Sequence, residues 1–235
     1  ALLLGLVVTG VSLAAFYVPS VREAWSSVVY LEASVPGGRV LRAVHHHGSH
    51  ALVVVVGLEL ALAVAAGAYT LAERRSFWLR IVRAALVVAT AVAGHLLPWD
   101  QPGYWARRVE LTLTAQVPGI GPGLARVLAG GAELGQLGLS RWFALHAFAL
   151  PAALAATVAW EGRGRSAGRH SLWVATAAVS AIALAVAALY PAPLGLPADA
   201  TRAPDARPEW FLMPLYGLRG LFRGPTAEVV GTGFG

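Results

Sequence analysis

Apolar residues run along this chain in five long blocks separated by polar, glycine-rich or proline-rich stretches. The blocks cover 1–18, 40–71, 77–97, 141–160 and 171–190, and prolines stop the first, third and fifth (Pro19, Pro98, and Pro191 with Pro193). About 20 apolar residues suffice to cross a bilayer as a helix, so the pattern predicts five transmembrane segments. The stretch 20–39 is amphipathic and polar enough to lie at an interface. The long connection 98–140 holds Pro118, Pro122 and many glycines, yet keeps apolar periodicity over 105–114 and 124–128. Short helices lying on the membrane face are expected there. A proline-rich loop covers 191–208, and the tail 209–235 is amphipathic, then glycine-rich; no internal repeat is visible. The first residues have no charged n-region or small-residue cleavage site, and read as the body of a helix rather than a signal peptide.

Composition sharpens the class. Hydrophobic residues make up 57% of the chain and charged ones 13%, against roughly 25% charged in soluble domains. The absence of cysteine excludes disulfides, iron–sulfur ligation by this chain and covalent c-type haem attachment. The net charge of +6 does not point to nucleic acid, because no basic stripe with interleaved aromatics accompanies it. The arginines mark loops instead. From the end of the second block into the start of the third stand Glu73, Arg74, Arg75, Arg80 and Arg83, net +3; between the fourth and fifth stand Glu161, Arg163, Arg165 and Arg169, net +2. By the positive-inside rule both loops are expected on the negative, cytoplasmic-type side.

The second and fourth blocks then enter the membrane from the same, positive side. His45, His46, His47 and His50 stand at the mouth of the second block, just inside Arg42; His146 stands just inside Arg141 at the start of the fourth. His45 is three residues after Arg42 and His146 five after Arg141, which at about 1.5 Å per residue places both near one level. Two imidazoles on separate helices at one depth suit the axial positions of an electron-transfer haem. Arg42 and Arg141 are placed to pair with its propionates, and Gly10 and Gly94 are candidate notches for a flat ring. On spacing alone a second reading stays open, in which these are helix-end histidines hydrogen-bonding at the interface.

More specific are three motifs: GHLLPWDQPGYW (94–105), LSRWFALHAFALP (139–151) and PDARPEWFLMPLYGLR (204–219). With YVPSVREAWSSVVYL (17–31) and the 117–124 region, they resemble cytochrome b of the respiratory and photosynthetic cytochrome bc complexes, nearer the photosynthetic and bacterial branch. The resemblance runs over essentially the whole chain. It implies an all-α membrane protein: a four-helix haem-binding bundle (1–168), then a fifth transmembrane helix and the start of a quinol-site region (169–235). It implies haem b gripped by His45 and His146 on the positive side, with Gly10 and Gly94 as notches and Arg42 and Arg141 near the propionates. The family hallmark Pro-Glu-Trp-Tyr reads here Pro208-Glu209-Trp210-Phe211, which with Trp105 would form the quinol site. Glu209 matches the carboxylate that takes the quinol proton. Further implied are a Rieske-type iron–sulfur protein, c-type cytochrome subunits and further membrane subunits as partners, in an energy-transducing membrane.

Departures from the family cluster in one place. Its second haem should be held fourteen residues, close to four turns, further along both helices. Those positions are Glu59 and Trp160 (or Glu161, one further), and the matching glycine notch on the third block is Arg80. None of these carries a haem b, so one haem b per chain is expected and the negative-side haem is expected to be absent. His47 and His50 are too shallow to replace its ligands. Glu59, a carboxylate in mid-block, is costly unless protonated or paired, and Arg80 or Arg83 is its expected partner. In the quinol site His95 stands where the family has a tyrosine, and Phe211 replaces another. His95 reads either as a proton relay with Glu209 or as a polar helix end. The negative-side quinone site lacks an acidic residue at 170–171 (His170, Ser171) and is not expected to work. Two functions follow: a subunit moving electrons between quinol or quinone and a partner through one bis-histidine haem, or a degenerate membrane anchor that docks quinone with little redox role.

Overall fold

The computed structural model describes residues 2–70, 74–162, 169–202, 208–214 and 217. In chain order the helices are α1 (Leu2–Ala14), α2 (Ala24–Ser34), α3 (Gly38–Ala65), α4 (Arg74–His95), α5 (Gln101–Ala115), α6 (Gly121–Ala129) and α7 (Gln136–Ala144). A π turn at Leu145–Ala149, α8 (Leu150–Gly162), α9 (Arg169–Leu189) and a 3₁₀ turn at Trp210–Leu212 complete them. Among the described residues the only non-helical pairing is an isolated bridge between Asp100 and Pro197. Three described runs are long and apolar enough to cross a membrane: α3, α4 and the continuous 136–160 stretch, with mean hydropathies of 2.0, 1.6 and 1.6.

The boundaries follow local chemistry. α1 ends at Ala14 rather than at 18, because Val18 precedes a proline and is pushed away from helical backbone. The freed segment lets the Tyr17 hydroxyl donate to Leu97 O at 2.7 Å, tying the end of α1 to the end of α4. Pro98 closes α4, and Asp100 caps α5 by accepting the Gly103 N–H at 3.0 Å. The fourth apolar run starts at Gln136, earlier than the expected 141.

α1, α3, α4 and the α7–α8 run pack side by side around a common interior, and α9 lies outside against α3 and α1. Two buried clusters fill the assembly. One caps an end of the bundle: Ala24, Ala93, Leu96, Trp99, Tyr104, Leu134, Leu139 and Trp142, contributed by α2, α5 and the loops as well as the bundle helices. The other lies within the bundle, where Val53, Val56, Val87 and Leu154 meet, with Phe211 packed against them. The histidines of α3 and the π turn stand in this framework.

Candidate functional site

His45 on α3 and His146 in the π turn face each other with ring centres 6.0 Å apart and planes at 76°. Both Nδ1 atoms are anchored. That of His45 lies 3.0 Å from Thr9 Oγ1, and the Thr9 hydroxyl has carbonyl acceptors for its single proton in Gly5 and Leu6, leaving its oxygen to accept. That of His146 lies 2.9 Å from Thr90 O, which can only accept. Each Nδ1 therefore carries the proton and each Nε2 presents a lone pair. A metal–imidazole bond of about 2 Å on either side sets two ring centres about 6 Å apart, so the pair has the tautomers and the separation of two axial ligands.

The glycines make this possible. A Cβ on Gly94 would stand 2.6 Å from His146 Cε1, and one on Gly10 would stand 3.0 Å from His45 Cε1. Only hydrogen lets the imidazoles lie against α4 and α1. Arg42 is committed elsewhere than expected. It is buried, pairs with Glu32, and donates to Ala192 O and Pro193 O, pinning the proline-rich loop to α3. Arg141 donates to Val127 O from an exposed position.

The π turn at His146 has a local cause. Pro151, one turn on, has no N–H and its ring crowds the carbonyl four residues back. The helix responds by widening, with the Leu150 N–H reaching Leu145 O. Such turns admit an extra residue and recur at functional sites.

One residue from Gly94, at the end of α4, His95 Nε2 lies 3.4 Å from Glu209 Oε1. The other oxygen, Oε2, lies 3.7 Å from Nε2 of His50 on α3. The Trp210 indole N–H donates to His50 Nδ1 at 3.2 Å. The carboxylate thus sits between two imidazoles, and the 208–211 hallmark is gathered at the bundle end that holds the histidine pair. Trp105 is placed on α5 with its indole nitrogen buried and without a hydrogen-bond partner among the described residues.

Comparison with known proteins decides the family. The family described as Cytochrome b/b6/petB matches residues 1–160, more than half of the chain. The chain belongs to the cytochrome b family. It is 35% identical over 149 residues to the menaquinol:cytochrome c reductase cytochrome b subunit of Geobacillus thermodenitrificans, covering 63% of this chain and 66% of that one. It is also 35% identical over 147 residues to cytochrome b6 of Prochlorococcus marinus, covering 63% and 67%. The matched stretch thus spans about two-thirds of each relative. The fold is similar to a chain of a hyperthermophilic respiratory Complex III, with TM-score 0.77 and 20% identity over 92% of this chain and 66% of that chain. Membership implies haem b, and the lone pairs of His45 and His146 are fit to hold it.

Further along α3 and α4 three charged residues are brought together. Glu59 Oε1 lies 3.5 Å from Arg80 Nε and 3.6 Å from Arg83 Nη1, joining α3 to α4. Trp160 is 54% exposed and lies under the Arg75 guanidinium, 5.2 Å from its ring centre. The Glu161, His170 and Ser171 side chains lie outside the described residues.

Two features escaped the sequence reading. His50 was set aside as too shallow for a ligand, although His46 and His50, four apart, share a helix face. Their ring centres are 4.5 Å apart. The other is the clamp formed by Arg107 and Glu110. Arg107 stacks on the Trp142 ring at 3.8 Å, donates to Val92 O and meets Glu110 at 2.6 Å. Burial raises the Glu110 pKa above its usual 4.5, the Glu209 charge adds to the rise, and Arg107 opposes it. Nothing in the spacing of Arg107 and Glu110 marks them as more than a solvated i,i+3 pair.

Proposed function

We propose that this cytochrome b is the membrane subunit of a bc-type complex that oxidises quinol on the positive side of the membrane through a single bis-histidine haem b. The observation that carries the reading is the continuity of α4. Gly94 backs His146, and the next residue, His95, meets Glu209. The electron acceptor and the proton acceptors are therefore neighbours on one helix end.

When bound, haem supplies outer-sphere one-electron transfer at its iron. This chain's residues supply the remainder. Thr9 and Thr90 hold the two Nε2 lone pairs inward. Trp105 offers a buried N–H to a quinol oxygen, while Pro208, Trp210 and Phe211 shape the loop around it. Glu209 takes the proton as the O–H bond breaks, and His95 carries it away. The second electron goes to an external Rieske-type iron–sulfur partner, with a c-type cytochrome beyond it. The net-positive loops at 73–83 and 161–169 support an orientation with those loops on the negative side.

One haem rather than two is supported by the Glu59, Arg80 and Arg83 cluster, which places charged side chains on the two helices that would enclose the second ring. Haem stoichiometry of the purified protein, by pyridine haemochrome and a reduced-minus-oxidised spectrum, tests this directly. About one haem b per chain is expected. Two would overturn the single-haem reading, and none would move the chain to the membrane-anchor role.

A further inference from the structure

Around Glu209 one hydrogen bond and two longer imidazole–carboxylate contacts line up in a series that has a direction. An indole N–H donates and has no lone pair to accept. Trp210 donating to His50 Nδ1 therefore makes that nitrogen an acceptor, and puts the single proton of the neutral ring on Nε2. That atom faces Glu209 Oε2 at 3.7 Å, longer than a hydrogen bond; catalytic hydrogen bonds often run long before substrate binds. The other oxygen, Oε1, is left to face His95 Nε2 at 3.4 Å.

We propose that His50 is a positioning residue: the closed end of a chain Trp210–His50–Glu209–His95 that orients the carboxylate and sends the quinol proton out through His95 alone. This rests on the quinol-oxidation reading above. A proton arriving at Glu209 cannot move to His50, whose Nε2 already bears hydrogen and whose Nδ1 is occupied by Trp210. It can move only from Oε1 to His95 Nε2. Quinol oxidation breaks two O–H bonds. One electron passes to the haem and one to the iron–sulfur centre of the partner, and each proton goes in turn to Glu209 and then to His95, which sheds it to water. His50 keeps its own proton throughout. The groups facing His50 are His46 from α3, at 4.5 Å between ring centres, with His47 beyond it at 5.0 Å from His46. Phe211 lies at 6.1 Å, alongside Glu209 and Trp210 of the loop, and His95 acts from α4 across the carboxylate.

The test uses the assembled complex in native membranes, with menadiol and decylubiquinol as donors and the rate of haem b reduction as readout across pH 5.5–9. Glutamine can reproduce both bonds of His50, accepting from Trp210 through its oxygen and donating to Glu209 through its nitrogen, without titrating. His50→Leu can do neither. His50→Leu is expected to be about 10- to 100-fold slower at unchanged haem content, and His50→Gln to recover to within about threefold of wild type with an overlaying pH profile. Trp210→Phe, which removes the indole N–H while keeping an aromatic ring, is expected to slow the reaction several-fold should the leucine variant fail to assemble. The proposal is overturned if His50→Gln is as slow as His50→Leu or displaces the pH profile, since His50 would then itself carry the proton. It is also overturned if His50→Leu or Trp210→Phe reacts at the wild-type rate. Failure of the wild-type haem to be reduced by either quinol would instead remove the underlying functional reading.

Discussion

Gly94→Ala is the most discriminating perturbation of the histidine pair. The added methyl would stand 2.6 Å from His146 Cε1 and 2.9 Å from its Nδ1. Carbon–carbon contact is most favourable at about 3.5 Å or more, so the ring must retreat by about 0.9 Å. Gly94 and Thr90 are one turn apart on the same helix, so the retreat also stretches the Nδ1–H···O bond to Thr90 from 2.9 Å to beyond hydrogen-bonding range. The cost is about 1 kcal/mol for the lost bond and about 1–3 kcal/mol for overpacking. The anchored tautomer is lost as well, and loss of such an outer partner lowers ligand-site affinity by about 10- to 100-fold. Gly10→Ala makes the control. Its methyl would stand 3.0 Å from His45 Cε1, which a shift of about half an ångström relieves. Haem b content and the reduced-minus-oxidised spectrum of both variants, expressed side by side, are the assay. Gly94→Ala is expected to lose most of its haem and Gly10→Ala to keep most of it. Full haem content and an unchanged spectrum in Gly94→Ala, or a deeper loss in Gly10→Ala, would refute the reasoning.

Other variants address the remaining parts. Glu209→Gln is expected to slow quinol-driven haem reduction by about 10²-fold or more with haem content unchanged; a wild-type rate would favour the anchor role. Glu59→Gln removes the carboxylate between Arg80 and Arg83, and should lower stability in detergent by about 1–2 kcal/mol; an unchanged unfolding midpoint would show the cluster to be idle. For Glu110, the folded pKa lies above 4.5, mainly through burial, so the folded protein binds more protons than the unfolded one as pH rises from 4.5. Its contribution to stability is thus full below that pH and lost as pH rises through the folded value. The midpoint of wild type relative to Glu110→Gln should accordingly fall with increasing pH above 4.5, and parallel curves would contradict the raised pKa.

The Arg42 clamp bears on how the quinol loop is delivered. Its bonds to Glu32, Ala192 and Pro193 fix the start of the proline-rich segment against α3. Asp100 adds a second fastening by accepting the Gly195 N–H at 2.8 Å, and the Ala198 N–H donates to Trp99 O at 3.0 Å. Trp99 adopts a positive φ of 51° at this junction, a strained backbone that the surrounding contacts hold in place. The segment is therefore fastened to the bundle end at Pro193, Gly195 and Ala198, and Glu209 stands beside His50 and His95.

Much of this protein is determined by its sequence alone, because the bilayer is a demanding solvent. Backbone groups must be satisfied within each segment, so long apolar blocks closed by prolines can only be helices, and the matched positions of His45 and His146 follow from rise per residue. The proline that marks the end of an apolar motif at Pro151 and the charged residues at Glu59 and Arg80 were equally legible. Tertiary structure decided what depends on phase and on partners distant in sequence. The π turn at Leu145–Ala149 is an effect of steric crowding at Pro151 that straight helical periodicity does not contain. The proton positions on His45 and His146 depend on Thr9 and Thr90, which lie on other helices. Arg42 met carbonyls about 150 residues away, partners that no local spacing announces. His50 came to face Glu209 only because the chain returns to it after passing through α9, a contact set by packing and not by any local pattern.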